Sequence, residues 1–114
     1  MFEKNLGIGY LLDFYGDILP ERRRDIMELY YNDDLSLSEI AEQMGITRQA
    51  VRETVKKTEA DLLFYEEKLG LLRRFTEAQT HANRAIALCE EAGEPVPDEL
   101  RREIYRLAEL VSMK

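Results

Sequence analysis

Five residues near the middle of the chain, Thr47, Arg48, Gln49, Arg52 and Lys56, combine the donor groups and the spacing needed to grip a nucleic acid. Arg and Lys neutralise phosphates, and Arg and Gln can read base edges in a major groove. On the helix that begins at Thr47, Arg48, Gln49, Arg52 and Lys56 lie on the sides away from its apolar residues. Thr47 stands where its side-chain oxygen can cap that helix. No comparable set of residues points to catalysis. His81 is the only histidine and Cys89 the only cysteine, which excludes His-pair and thiolate zinc sites. Cys89 falls on an apolar stripe and reads as core. His81 has polar neighbours and reads as surface. There is no Walker-type glycine loop and no dinucleotide fingerprint. The acid pairs Asp33-Asp34, Glu66-Glu67 and Glu90-Glu91 are sequence neighbours, which point about 100° apart on a helix and so form solvated faces rather than acid–base pairs. A non-enzymatic chain without cofactor or metal is expected.

The elements that must position the five residues lie between Ser36 and Lys57. Ser36 and Glu39 form an S-x-x-E capping box, so a helix is predicted to start there. Leu37, Ile40, Ala41 and Met44 then share one face at helical spacing. Gly45 suits the left-handed position that closes a helix. Ile46 reads as a buried plug, and Thr47 opens the next helix. Ala50, Val51 and Val55, with Thr54 beside them, give that helix an apolar side, while the small Ala41 and Ala50 permit close approach of the two. This is the helix-turn-helix pattern, whose second helix presents its N-terminus to a duplex.

The charge balance qualifies that reading. The 114-residue chain has a net charge of −7. Residues 1–35 carry 4 basic and 8 acidic groups, residues 36–57 carry 4 and 3, and residues 58–114 carry 8 and 12. The helix-turn-helix is the least acidic third but no strongly basic patch. Weak binding to non-specific DNA is expected, because phosphate neutralisation dominates such affinity. The hydrophobic fraction of 45% is enough for a core. No apolar run is long enough to span a bilayer and no signal peptide is visible. With one cysteine and no internal disulfide, a cytoplasmic location is expected.

No alternating segment of useful length reads as a strand, so the fold class is all-α. A first helix is predicted from about Asn5 to Tyr15, stopped by Gly16. Pro20 suits the first turn of a second helix that runs through about Asn32, with Ile26, Met27, Leu29, Tyr30 and Tyr31 on its buried side. Arg22, Arg23 and Arg24 in its first turn have two readings: ion pairs with nearby acids, or contacts to a nucleic-acid backbone. The helix from Thr47 shows no stop at Lys57. Leu62, Tyr65, Leu69 and Leu72 are spaced like a coiled-coil seam, and Gly70 marks a bend or break. A helix from about Leu71 to Ala92 carries Phe75, Ala78, Ala82, Ala85, Ile86 and Cys89 on one side. After Gly93, Pro95 and Pro97, a last helix to about Ser112 aligns Leu100, Ile104, Leu107, Ala108 and Val111. Residues 1–70 thus read as the helix-turn-helix module and residues 71–114 as a helical arm that packs back or forms a homodimer.

Several separate blocks carry a resemblance. Leu12 to Tyr15, Met27 to Glu42, Arg48 to Val51, Thr58 to Ala60 and Tyr65 to Leu69 occur in the order seen in the YlxM family, small helix-turn-helix proteins of Gram-positive bacteria and relatives. The resemblance runs to about Phe75. It implies a module like region 4 of sigma factors. It also implies a link to the signal recognition particle, inferred from a gene that typically neighbours the one for the particle's GTPase subunit. Glu21-Arg22-Arg23-Arg24 departs from the Thr/Lys/Gln-type sequence expected there and makes the start of the second helix more basic. The readings that follow are an accessory of the particle that binds its RNA or its GTPase subunit, a sequence-specific DNA-binding regulator, or a module that docks proteins only. One fold serves all three uses.

Overall fold

The computed structural model describes residues 6–112, and all their regular structure is helical. The elements are α1 (Leu6–Tyr15), a single 3₁₀ turn (Gly16–Ile18), α2 (Glu21–Tyr31), α3 (Leu37–Met44), α4 (Arg48–Leu69), α5 (Leu71–Glu91) and α6 (Asp98–Leu110). The expected start of the first helix at Asn5 lies outside the described residues. The chain divides into two compact units, one ending at Gly70 and the other starting at Leu71.

In the first unit α4 is the central post, and α1, α2 and α3 each pack against it. Its inward face is Val51, Val55, Thr58 and Leu62, all with no exposure. That spacing keeps one side of the helix turned to the core over three turns. Ile8, Leu11, Leu12 and Tyr15 of α1, then Leu19 of the linker, Ile26, Met27 and Tyr30 of α2, and Leu37, Ile40 and Ala41 of α3 complete the core. Each such aliphatic side chain contributes about 1.5–3 kcal/mol by leaving water.

Polar links tie the outer helices to the post. Arg23 Nε donates to Thr58 Oγ1 at 3.0 Å, and its guanidinium pairs with Asp61 at 2.6 Å. The Tyr15 hydroxyl donates to Glu66 at 2.8 Å, and the Tyr31 hydroxyl donates to Glu59. Burial, followed by the nearby Glu59 and Asp34 carboxylates, raises the Tyr30 phenol above its ordinary range. Among the described residues no buried side-chain nitrogen or oxygen lacks a partner, as a stable interior requires.

Several boundaries differ from the sequence expectation for local reasons. Pro20 is the N-cap of α2 rather than a residue of its first turn: its ψ of 142° is extended, and its carbonyl accepts the Arg24 N–H at 3.0 Å. Between α1 and Pro20 the chain passes through the 3₁₀ turn of Gly16–Ile18, with Tyr15 as its N-cap. Ile46 is half-buried, not a buried plug. The coiled-coil seam does not form. Leu62 lies in the first unit's core, Tyr65 packs on Tyr15 with ring centroids 5.9 Å apart, Leu69 is 51% exposed, and Leu72 falls on the next helix. The interruption is Gly70, at φ 64°, a left-handed conformation that costs a residue with a Cβ about 1–2 kcal/mol.

The second unit is a helical hairpin of α5 and α6 closed by the proline-rich loop 92–97. The Tyr105 hydroxyl donates to Glu90 at 2.9 Å across the pair, and this bond holds the phenol above its ordinary range. Ala82 is the only residue of this unit, among those described, that is fully buried.

Candidate nucleic-acid interface

Both helices of the motif are closed by the groups that the sequence supplies. The Ser36 side chain accepts the Glu39 N–H at 3.1 Å, and Glu39 accepts the Ser36 N–H at 2.9 Å, so both halves of the capping box are made. These bonds, first the backbone one, hold the Glu39 carboxyl below the usual glutamate range. Gly45 ends α3 at φ 71°, its own N–H bonding the Ala41 carbonyl, and the Ile46 N–H reaches the same oxygen at 3.1 Å. Two residues later the Thr47 side chain accepts the Ala50 N–H at 3.0 Å and α4 begins.

This tight turn fixes which side of α4 faces outward. Val51 and Val55 are sealed against α3 and its neighbours, so Arg48, Gln49, Arg52 and Lys56 stand on the exposed surface. Gln49 donates to Glu53 at 3.1 Å along the helix, a bond that orients the amide without burying it. Thr47 is exposed, but its hydroxyl oxygen serves as the cap. Arg48, Gln49, Arg52 and Lys56 are therefore brought together on the exposed side of the first two and a half turns of α4, directly after the Thr47 cap.

The arginine cluster of α2 separates into three environments. Arg23 is tied to Thr58 and Asp61. Arg24 bridges Asp17 at 2.6 Å and Glu28 at 3.1 Å, and these carboxylates, Glu28 first, raise its pKa further. Arg22 is exposed, with no ion pair among the described residues. Thr58, Asp61, Glu59 and Glu66, which receive the links from α1 and α2, were not singled out by sequence reasoning as structural anchors. The signal was there: Thr58 continues the Val51, Val55 series at i+7 and precedes Leu62 by four.

Among the described residues no three metal-ligating side chains cluster. An open surface depression runs along α6 beside Arg101, Tyr105 and Arg106. No described helix is long and apolar enough to cross a membrane.

Residues 2–89 match the family described as "Putative helix-turn-helix protein, YlxM / p13 like". The chain belongs to this YlxM/p13-like family. UPF0122 proteins of Bacillus cereus strain AH187, Bacillus anthracis strain A0248 and Bacillus thuringiensis subsp. konkukian strain 97-27 are each 44% identical to it over 110 residues. Each alignment covers 96% of this chain and 99% of the relative. The likeness thus extends past Phe75, the limit of the resemblance read from the sequence: the family match takes in nearly all of α5, and the relatives' alignments cover almost the whole chain.

Proposed function

We propose that this chain is a non-enzymatic accessory or regulator of the signal recognition particle pathway that binds the particle's RNA through the first nine residues of α4. The carrying observation is the exposed ridge of Arg48, Gln49, Arg52 and Lys56 on a helix whose N-terminus is capped and whose other side is locked into a core. In this reading the two arginines and the lysine neutralise phosphates, and Gln49 hydrogen-bonds sugar or base edges. Thr47 sets the direction of the helix, and Arg22 adds an outlying backbone contact. A-form RNA hides its base edges in a deep, narrow groove, so shape and backbone carry the recognition. The local excess of one positive charge suits a structured partner held by few contacts better than diffuse binding to bulk DNA. The link to the particle rests on the family resemblance. The particle's GTPase subunit is the protein face of the same proposal.

A second reading is a sequence-specific DNA-binding regulator. Arg48 and Gln49 favour it, since they stand at the helix N-terminus, where base-reading residues of such motifs lie. One experiment separates the readings: the purified chain is titrated in parallel with the particle's RNA, its GTPase subunit and random duplex DNA. Saturable binding to the RNA, with duplex DNA far weaker, is the expected result. Binding confined to one defined duplex sequence would replace the first reading with the second. Binding to the GTPase subunit alone, unchanged by Arg48→Ala with Arg52→Ala, would leave α4 without a nucleic-acid role.

A further inference from the structure

An acid stands in the middle of the face that α4 turns outward. At about 100° per residue, counted from Arg48, the sealed Val51, Val55, Thr58 and Leu62 lie between about 280° and 340°. The direction away from the core is therefore near about 130°, and Glu53 falls at about 140°. Arg48, Arg52 and Lys56 climb one flank of it, from about 0° to about 80°, and Lys57 lies on the other at about 180°. All five are exposed, as is Gln49 at about 100°, one turn before Glu53. A glutamate with lysines three and four residues ahead of it on a helix is placed to pair with them. Glu53 nevertheless makes no ion pair among the described residues; its contact is the Gln49 amide, which donates to it at 3.1 Å. That bond fixes what the two groups can offer. A carboxylate only accepts, so the amide nitrogen must face it and the Gln49 oxygen must face away. Roughly five acceptor sites then remain on the two groups, against one N–H. A phosphate brings acceptors only, and a unit negative charge about 4 Å from a carboxylate loses about 5-fold in affinity even in water. A surface built only to neutralise phosphates gains nothing from such an acid.

We infer that Glu53 is a specificity-determining residue of the α4 interface. Together with the Gln49 carbonyl it accepts a hydrogen bond from a donor in the shallow groove of an RNA helix, while Arg48, Arg52 and Lys56 beside it take phosphates. The inference rests on the RNA reading of α4 and names the chemistry that this face selects. The groove of A-form RNA that side chains can enter displays 2′-hydroxyls and base edges. Its donors are the ribose hydroxyl and the guanine amino group. Phosphates border that groove, so a donor set between phosphates meets an acceptor pair set between cations. Duplex DNA of arbitrary sequence has no ribose hydroxyl to give, and its backbone meets the same acid as repulsion. Glu53 thus lowers affinity for nucleic acid in general and returns it where a donor is in place.

The test is the affinity of the full-length chain, by fluorescence anisotropy, for the particle's RNA, for random duplex DNA and for two altered transcripts of that RNA. One transcript carries 2′-fluoro groups, which keep the A-form but cannot donate. The other has inosine for guanosine and so lacks the amino group. Glu53→Gln removes the charge and keeps the shape. It is expected to tighten DNA binding and to cut the RNA-over-DNA preference by about 5-fold or more. Glu94→Gln, the same change of charge in the exposed loop 92–97, is expected to leave the preference as it was. One altered transcript is expected to lose about 10-fold with the wild type and little with Glu53→Gln, and which one it is tells the hydroxyl from the amino group. If the Gln49–Glu53 bond only stiffened α4, Glu53→Gln would weaken RNA and DNA alike, and that result would overturn the inference. So would a loss on the altered transcripts that the variant shares in full, or a preference that Glu94→Gln lowers equally. A wild-type chain that binds no RNA would remove the proposed role of α4 itself, and the inference with it.

Discussion

Replacing Arg48 and Arg52 together by alanine removes two of the three cations on the α4 ridge without touching its packed side. Both side chains are exposed, whereas Val51 and Val55 between them are fully buried. Alanine is the strongest helix former, so α4 itself is not weakened. The expected size follows from counterion release. Each neutralised duplex phosphate contributes about −0.9 to the slope of log K against log salt. If Arg48, Arg52 and Lys56 take one phosphate each, their share of the slope is about −2.7 in the wild type and about −0.9 in the double variant, with any Arg22 contact common to both. Between 50 and 200 mM salt the α4 cations then account for about a 40-fold loss of affinity in the wild type and only about 3.5-fold in the variant. Fluorescence anisotropy of labelled particle RNA at four salt concentrations measures both slopes. Equal slopes would refute the assignment of phosphate contacts to this ridge, even if overall affinity had fallen. A fall in affinity with thermal stability also lost would point to misfolding instead, so a melting curve accompanies each titration.

The Arg23 link between α2 and α4 should appear as coupling in a double-mutant cycle. With side chains 24% and 35% exposed, the Arg23–Asp61 pair lies between surface and buried cases, and about 1–2 kcal/mol of coupling is expected from denaturant midpoints. Arg23→Ala should cost more than Asp61→Ala, because it also strands the Thr58 hydroxyl, which has no exposure. Ser36→Ala should cost about 1 kcal/mol through loss of the α3 cap, read from the same midpoints. Glu39 adds a pH dependence. Its folded pKa lies below the unfolded value, so its stabilisation is complete above the ordinary glutamate range and is lost as pH falls through the folded value. Glu39→Gln should therefore flatten the acid limb of the stability curve between about pH 5 and pH 3. An unchanged limb would remove Glu39 from the account.

How much of this was legible in the sequence differs by element. The helix-turn-helix was readable because its signals are local. Ser36, Glu39, Gly45 and Thr47 act on backbone groups within four residues of themselves, and each makes the bond its type and position suggest. The outward set on α4 was readable for the same reason, as the complement of Val51 and Val55. The anchoring set was not. Thr58 receives Arg23 from 35 residues away and Glu66 receives Tyr15 from 51 away, and no local pattern announces which charged residue a distant arginine or tyrosine will meet. The seam through Leu62, Tyr65 and Leu69 misled for a related reason. Heptad spacing records that residues share a side, not what covers it. Here α1 covers Tyr65, while Gly70 breaks the register before Leu72 can join.

Under the proposed function, the long helix α4 connects stability to recognition. It spans 22 residues, about 33 Å, of which the ridge uses only the first nine. The remaining turns are where Thr58, Asp61, Leu62 and Glu66 engage α1 and α2. A helix is stiff along its axis, so fixing its C-terminal half fixes the direction in which Arg48 and Gln49 project. Loosening the anchors should therefore blur the interface before it unfolds the chain. Arg23→Ala, which releases Thr58 and Asp61 ten and thirteen residues along α4 from Arg48, is expected to weaken binding by a factor greater than the fraction of chain it unfolds. The salt slope should stay unchanged, because every phosphate-facing cation on α4 is still present. That separates it from Arg48→Ala, which lowers the slope while leaving stability intact. Two substitutions on the same module, one altering affinity alone and the other affinity and salt dependence together, distinguish a helix that is aimed from one that is merely charged.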